Sequence, residues 1–518
     1  MNHLKFILII IITLFHCVLL AQPSGIYNVK DFGAIGDGIT YDTGSIQKSI
    51  DEASAGGGGM IFFPPGKYLT RSIILKSNIS LYISNGAVIL GSTDLNKFDV
   101  AYGSFIDSDG RKFGTALFLA VNCKNIAIDG NGIIDGQGFK EFYPKAEGVF
   151  RPYLIRFIPC SNVKLKNITM LNSAAWVQHY VDCEDILIDG ITVRSYSNVN
   201  NDGLDIESCR RIIITRCNID CEDDSIVLKT LSTKPCRDIV ISDCIIGGLK
   251  SAIKIGTESA GNFENITISN CTIYGTRGIS LLSVDGGSIN NVTISNISMR
   301  YSYAVIVMRL GSRMSKYSVP DALLPDKPGS FKNIMISNIQ ATNVTESNDF
   351  ISGSPGHYIE NVTLNNIKIE YEGGGTQKDF ERIIPELIEE YPKAKMFGTL
   401  PAYGFFIRHA KNLSIINLEI SYKKNEERPA IYCDDVIGFE LSGLKAISPV
   451  YRQALLFLNN VREATISECK YIGPVEYLAR LTGSNSKEII FNRNFLIDKT
   501  KLFSASPEVN INTIKELK

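Results

Sequence analysis

The chain has 518 residues, and its acidic and basic side chains nearly cancel to a formal net charge of −1. That balance argues against nucleic acid or an anionic membrane surface as partner, since either calls for a basic patch. Only 21% of residues are charged, 43 are glycine and helix-favouring runs are few, so the composition leans to β; a solenoid of this length often forms one unit.

The first 21 residues read as a secretory leader: Lys5 near the start, an almost wholly apolar run from Phe6 to Leu20, then Ala21-Gln22. The run is shorter than the roughly 20 residues of a membrane span, and His16 before Cys17 suits a lipoprotein cleavage site poorly. The expectation is cleavage near Ala21, a secreted or periplasmic product, and one domain over 22–518. No later apolar segment is long enough to span a bilayer. Eleven cysteines remain after the leader. An odd, scattered set is no disulfide framework; it reads as small buried fillers with room for one or two bridges. No Cys-x-x-Cys spacing occurs, so zinc is not expected.

Residues 22–75 read as an N-terminal cap and first coils. A helical stretch, about Thr43 to Ser54, should cover the open end of a solenoid, and Gly56 to Gly59 and Pro64-Pro65-Gly66 punctuate the first turns. From about Asn125 a phrase recurs: Asn or Asp, alternating apolar residues, Asn or a small residue, then an apolar residue or cysteine. Its copies end at Ile168, Ile191, Cys217, Cys244, Cys271 and Ile297, in steps of 23, 26, 27, 27 and 26 residues, with later copies ending at Ile339, Ile367 and Leu418. A period near 25 with short strands and no intervening helix marks an all-β parallel β-helix. The recurring Asn residues should form amide ladders at the bends, which makes sequons such as those at Asn167, Asn265, Asn291 and Asn361 by-products of the repeat. An insertion at 370–405 carries a second helical candidate, Phe380 to Tyr391, and inserted loops often border the binding face. The tail after about Leu481 gives weak signals.

The chemistry concentrates in Asn200-Asn201-Asp202-Gly203-Leu204-Asp205 and Asp223-Asp224. The runs that follow align as strands with one buried face: Leu204, Ile226 and Ile253 share an inward column, and Ile206, Leu228 and Ile255 the next. Asp202 then matches Asp224, with Asp223 beside them. Strict alternation would point the pair inward, but Gly203 and the Asp-Asp pair predict a bend that turns it out. Strands lie roughly 4.8 Å apart, so three carboxyls gather at one rim and at least one should hold a proton near neutrality. One protonated and one ionised carboxyl is what glycoside hydrolysis requires; a separation of roughly 6.5–9.5 Å would admit water between them and invert the anomeric centre. Isolated, such residues would only cap turns or bind calcium; their convergence on registered strands favours catalysis.

At these residues the chain resembles glycoside hydrolase family 28, the polygalacturonase and rhamnogalacturonase group of pectin-degrading right-handed β-helices. The family's Asn-Thr-Asp-Gly-x-Asp stands here as Asn200 to Asp205. Its Asp-Asp pair is Asp223-Asp224, 21 and 22 residues after Asp202. Asp31 to Gly38 (Asp-Phe-Gly-Ala-Ile-Gly-Asp-Gly) and Phe63 to Tyr68 (Phe-Pro-Pro-Gly-Lys-Tyr) are similar to its N-terminal coils. The resemblance implies an inverting hydrolase without metal or cofactor, in which Asp223 is the general acid while Asp202 and Asp224 hold and activate water. Two motifs depart: Lys250-Ser251-Ala252 stands where the family has Gly-His-Gly, and Ser280-Leu281-Leu282 where polygalacturonases bind the galacturonate carboxylate with Arg-Ile-Lys. Ala252 to Ser259 and Phe397 to His409 instead resemble a bacterial branch of the family.

Lys254, in the outward column of Asp205, is placed to take a uronate carboxylate from another direction, and Lys229 shares a column with Glu207, its expected partner. With Asn200, Asp205, Ser251, Arg408 and His409 these are the substrate-binding candidates. The expected partner is a pectic poly- or oligosaccharide attacked by exo-action, without nucleic acid, without a membrane after leader removal, by a monomer. The alternatives are a calcium-dependent pectate-lyase-like eliminase, for which no arginine base is placed on the acidic face of the aligned strands between Leu204 and Gly256, and a non-catalytic carbohydrate-binding solenoid.

Overall fold

The computed structural model describes residues 25–95, 98, 105–106, 112–113, 115–146, 151–315, 325–450, 453–497 and 499–517; the predicted leader lies outside them. One turn of the chain shows how the repeat works. Strands Gln178–Val181, Glu184–Asp189 and Thr192–Ser195 are followed by Leu204–Glu207, which pairs in parallel with the first of them. Repetition of this step joins 39 strands of the described residues into one continuous sheet, the wall of a right-handed parallel β-helix. The predicted register holds at the acidic stretch, where Leu204, Ile226 and Ile253 are Cα partners, as are Ile206, Leu228 and Ile255.

The apolar positions of each copy make columns through the core. Ile188, Ile214, Ile241, Ile268 and Ile294 stack in register on successive rungs, and all are fully buried. Each such side chain contributes about 1.5–3 kcal/mol of burial, and truncation of one to Ala costs about 2–5 kcal/mol. At the bends the recurring Asn residues take left-handed φ, as at Asn265 (56°) and Asn291 (57°), a conformation Asn tolerates better than most residues. Their amides run from rung to rung: Asn291 Nδ2 donates to Asn265 Oδ1 at 2.9 Å, and Asn265 Nδ2 to Asp238 Oδ1 at 3.0 Å. A second ladder runs from Asn366 through Asn338, Asn296 and Asn270 to Asp243. The eleven described cysteines are all buried and free; the backbone N–H groups of Cys160 and Cys183 donate to the sulfurs of Cys183 and Cys209, each at 3.2 Å. The room left for bridges is not used.

The helix Thr43–Ala55 lies at the N-terminal end with Ile46, Ile50 and Ala53 buried. The tail continues the solenoid, with Lys487–Asn492 pairing on the rung before it and on Ile514–Leu517. The insertion corrects the sequence reading. Instead of a helix from Phe380 to Tyr391 there is a single turn, Gln377–Phe380, with a Thr376 capping box. Pro385 lacks an N–H and disfavours helical geometry at Ile384, and the carbonyls there have other partners. Ala394, Phe397 and Leu400 seat the insertion on Leu282, Val307, Phe350 and Phe406. Among the described residues no helix is long and apolar enough to cross a membrane.

Candidate active site

Leu204 and Ile226 open their strands, so Asp202, Asp223 and Asp224 lie in the turns just before, freed from strand alternation. Two local devices set those turns. Asn201 is fully buried; its amide donates to the carbonyls of Ser173 and Ala175, each at 2.9 Å, and its oxygen accepts from Ser195 Oγ at 3.0 Å. Gly203 passes so near the next rung that a Cβ would sit 2.4 Å from the Ser225 carbonyl oxygen, so any side chain would force the rungs apart. Asp202 and the Asp223-Asp224 pair converge as predicted: one oxygen from each lies within 4.8 Å of the others. They come together because adjacent residues on one rung face a residue one rung away.

The three carboxyls differ sharply. Burial alone would raise Asp224, but Lys254 and the Ser251 amide outweigh it and hold the carboxyl below its ordinary value. Lys254 Nζ donates to Asp224 Oδ2 at 2.8 Å, and Ser251 N to Oδ1 at 2.7 Å. Asp223 is raised by burial and by the charge of Asp224, against the pull of Lys250, whose Nζ is 3.9 Å from Asp223 Oδ2. Asp202 is raised strongly by burial, then by Asp205 and Asp223; its Oδ1 is buried without a protein hydrogen-bond partner. Asp223 is the most accessible, its side chain 18% exposed against 9% for that of Asp224, while Asp202 is buried.

The substrate-binding candidates divide. Ser251 and Lys254 belong to the cluster through Asp224, and Lys254 is thereby engaged with an acid of the chain itself. Asp205 is fully buried and faces Lys229 at 2.9 Å; burial carries it to about 7 although Lys229 pulls the other way. Lys229 does not pair with Glu207. It lies between Asp205 and Glu258 (3.8 Å), with Trp176 3.7 Å from its ammonium to the ring centroid. Glu207 instead meets His179 Nε2 at 3.0 Å, a diagonal contact, since His179 is the rung partner of Asp205 and Val181 that of Glu207. Asn200 accepts from Arg151 at 3.0 Å, an anchor of the turn. Arg408 and His409 stand apart from the acids and bind the insertion: Arg408 donates to the carbonyls of Ile384 and Pro385 at 2.8 and 3.0 Å, and His409 lies between Asp435 Oδ2 (2.7 Å) and Glu386 Oε1 (3.2 Å).

Sequence reasoning missed Tyr391. Its hydroxyl is 3.4 Å from Lys254 Nζ, and no periodic signal leads to it. It missed His179 and Trp176, although the only tryptophan of the chain, two places before Gln178, the rung partner of Leu204, was a readable hint.

A family model described as Glycosyl hydrolases family 28 matches residues 89–384. The chain belongs to this family. Within family 28 and beyond, the chain is 34% identical over 216 residues to a protein named Probable polygalacturonase from Vitis vinifera, covering 39% of this chain and 44% of that protein. It is 25% identical over 257 residues to an exo-poly-alpha-D-galacturonosidase from Dickeya chrysanthemi, covering 39% of this chain and 41% of the relative. The chain thus spans less than half the length of these relatives. The crystal structure of a hyperthermoactive exopolygalacturonase from Thermotoga maritima superposes with a TM-score of 0.62 at 23% identity, over 77% of this chain and 92% of that one, and so shares the fold. The family 28 match takes in all three acids and the first part of the insertion.

Proposed function

We propose that the protein is a glycoside hydrolase of pectic polysaccharide in which Asp223 is the general acid, Asp224 the base and Asp202 the residue that holds the attacking water. The observation that carries this reading is the unequal setting of three converging carboxyls: Lys254 and the Ser251 amide hold both oxygens of Asp224 and lower it, while burial and the charge of Asp224 raise Asp223. Such a split supplies one proton donor and one proton acceptor at the same pH. Asp223, the most exposed, protonates the departing glycosidic oxygen. Water adds to the anomeric carbon as the glycosidic C–O bond breaks, and its proton passes to Asp224. Asp202, whose Oδ1 has no protein partner, orients that water. Both oxygens of Asp224 already accept hydrogen bonds, which keep it ionised, and inversion is proposed from the family resemblance.

Exo-action is the finer part of the proposal. It rests on the insertion, which covers the outward face beyond Ser280: Val307, Phe350 and Phe406 point away from the core yet are at most 2% exposed. Export rests on the leader-like residues 1–21.

Product analysis tests the reading. The protein is incubated with polygalacturonan, rhamnogalacturonan and their oligomers beside Asp223→Asn. New reducing ends without ultraviolet absorbance, lost in the variant, are expected, and the first sugar released names the substrate and the mode of attack. Absorbance that rises only with calcium would establish the eliminase, for which the three carboxylates offer cation-binding geometry. Binding without cleavage would establish a non-catalytic solenoid.

A further inference from the structure

The insertion is fastened to the solenoid more tightly than a surface loop requires. Five consecutive carbonyls, Ile384 to Ile388, each receive a donor from the barrel wall. Arg408 serves Ile384 and Pro385; Arg309 serves Glu386 and Leu387 at 2.6 and 3.1 Å; and Ser312 N serves Ile388 at 2.6 Å. The Glu386 carboxylate adds Arg408 at 3.1 Å and His409 at 3.2 Å. Arg309 and Arg408 are at most 2% exposed, and two buried guanidinium groups of this kind hold a backbone far better than solvated ones. The chain then turns at Leu387, with φ 46° and Glu390 N donating to the Leu387 carbonyl at 3.3 Å. The next residue is Tyr391.

Tyr391 does not turn into the insertion's own apolar seat. It is 44% exposed. Its hydroxyl lies 3.4 Å from Lys254 Nζ, the ammonium that donates to Asp224 at 2.8 Å. Its ring centroid is 5.7 Å from Lys254 Nζ and 5.5 Å from the Arg313 guanidinium. Both cations are matched by acids, Lys254 by Asp224 and Arg313 by Asp285 at 2.7 Å. This flank of the site therefore offers a ring face and a hydroxyl more than a spare charge, which is how an aromatic side chain receives a sugar ring.

Resting on the hydrolase reading above, we propose that Tyr391 is the specificity-determining and positioning residue of this flank: its ring is the wall against which the sugar beside the cleaved bond packs, and its hydroxyl keeps Lys254 on Asp224. Arg309 and Arg408 are positioning residues that act through it. The recognised chemistry is a pyranose ring presented by its apolar face, with no dependence on its carboxylate at this wall.

The test uses the full chain, four single variants and one double variant. Tyr391→Ala should raise KM for a pectic oligosaccharide by about tenfold, as expected for loss of a packing and hydrogen-bonding partner, with kcat falling less, and the rise should persist at high salt. Tyr391→Phe should keep most of the KM but move the acid limb of the pH profile upward, because Lys254 is less firmly held on Asp224. Arg408→Met should reproduce the KM rise of Tyr391→Ala. Binding of the same oligosaccharide to Asp223→Asn, with and without Tyr391→Ala, is read by calorimetry, so the wall is tested whether or not turnover is seen. Wild-type protein that cleaves no pectic substrate defeats the hydrolase reading alone. Unchanged KM, pH profile and binding in the Tyr391 variants, with at most a lowered melting temperature, would overturn the inference and leave Tyr391 a packing residue.

Discussion

Two lysine–aspartate pairs lie on neighbouring rungs of the same outward face, and they do different things. Lys229 is 2.9 Å from Asp205, Lys254 2.8 Å from Asp224, and both lysines are almost fully buried. Yet burial carries Asp205 up to about 7, while Asp224 is held below its ordinary value. Lys229 is shared with Glu258 and lies over Trp176, whereas Lys254 serves Asp224 together with a backbone N–H from Ser251. One backbone donor and one cation paired with no second acid are enough to keep Asp224 ionised where Asp205 is not. The pairing itself does not tell the two apart; the count of donors does.

The comparison can be broken in several ways. The largest effect on turnover should come from Asp223→Asn, which removes the proton donor: kcat falls by about 10²–10⁴-fold, the usual share of general acid catalysis, with an unchanged melting temperature in a thermal scan. Lys254→Met and Lys229→Met come next. Each leaves a buried carboxyl without its cation and should lower stability by about 3–5 kcal/mol, measured by urea unfolding. Only Lys254→Met should also lower turnover, by less than Asp223→Asn does, at a temperature where both variants are folded, since only Asp224 works as a base. Equal losses of turnover would erase the distinction drawn here.

A pH effect separates the insertion from the site. Burial disfavours a charge on His409, but its hydrogen bonds to Glu386 and Asp435 outweigh burial and raise its pKa. A raised value means stability fully present below the unfolded value of about 6.5 and lost as pH rises through the folded value. Hydrogen exchange at 384–391 should quicken over that window, and His409→Gln should flatten the dependence. The smallest effect belongs to the repeat: Asn291→Ala removes one rung of a ladder and should cost about 1 kcal/mol without touching kcat.

What could be read in the sequence follows from the solenoid itself. In a coil with a period near 25, the partner of a residue is found by counting one turn, so the alignment of Leu204, Ile226 and Ile253, the Asn ladders and the three-acid cluster were all legible. Counting fails where a side chain bends along its strand or where the period is broken. Lys229 leans to Asp205 and away from its rung partner Glu207. Arg408 and His409 sit at readable positions, but their partners lie in an insertion with no period of its own. Tyr391 reaches Lys254 across 137 residues, a contact that only the clamp on residues 384–388 explains.

The central claim is that Asp223 and Asp224, adjacent in sequence, titrate on opposite sides of the ordinary aspartate value. Carbon-13 NMR of aspartate carboxyls through a pH titration, assigned with Asp223→Asn and Asp224→Asn, measures this directly. The account predicts the Asp224 midpoint below about 3.9 and the Asp223 midpoint above it. The reverse order, or both midpoints at the ordinary value, would contradict it.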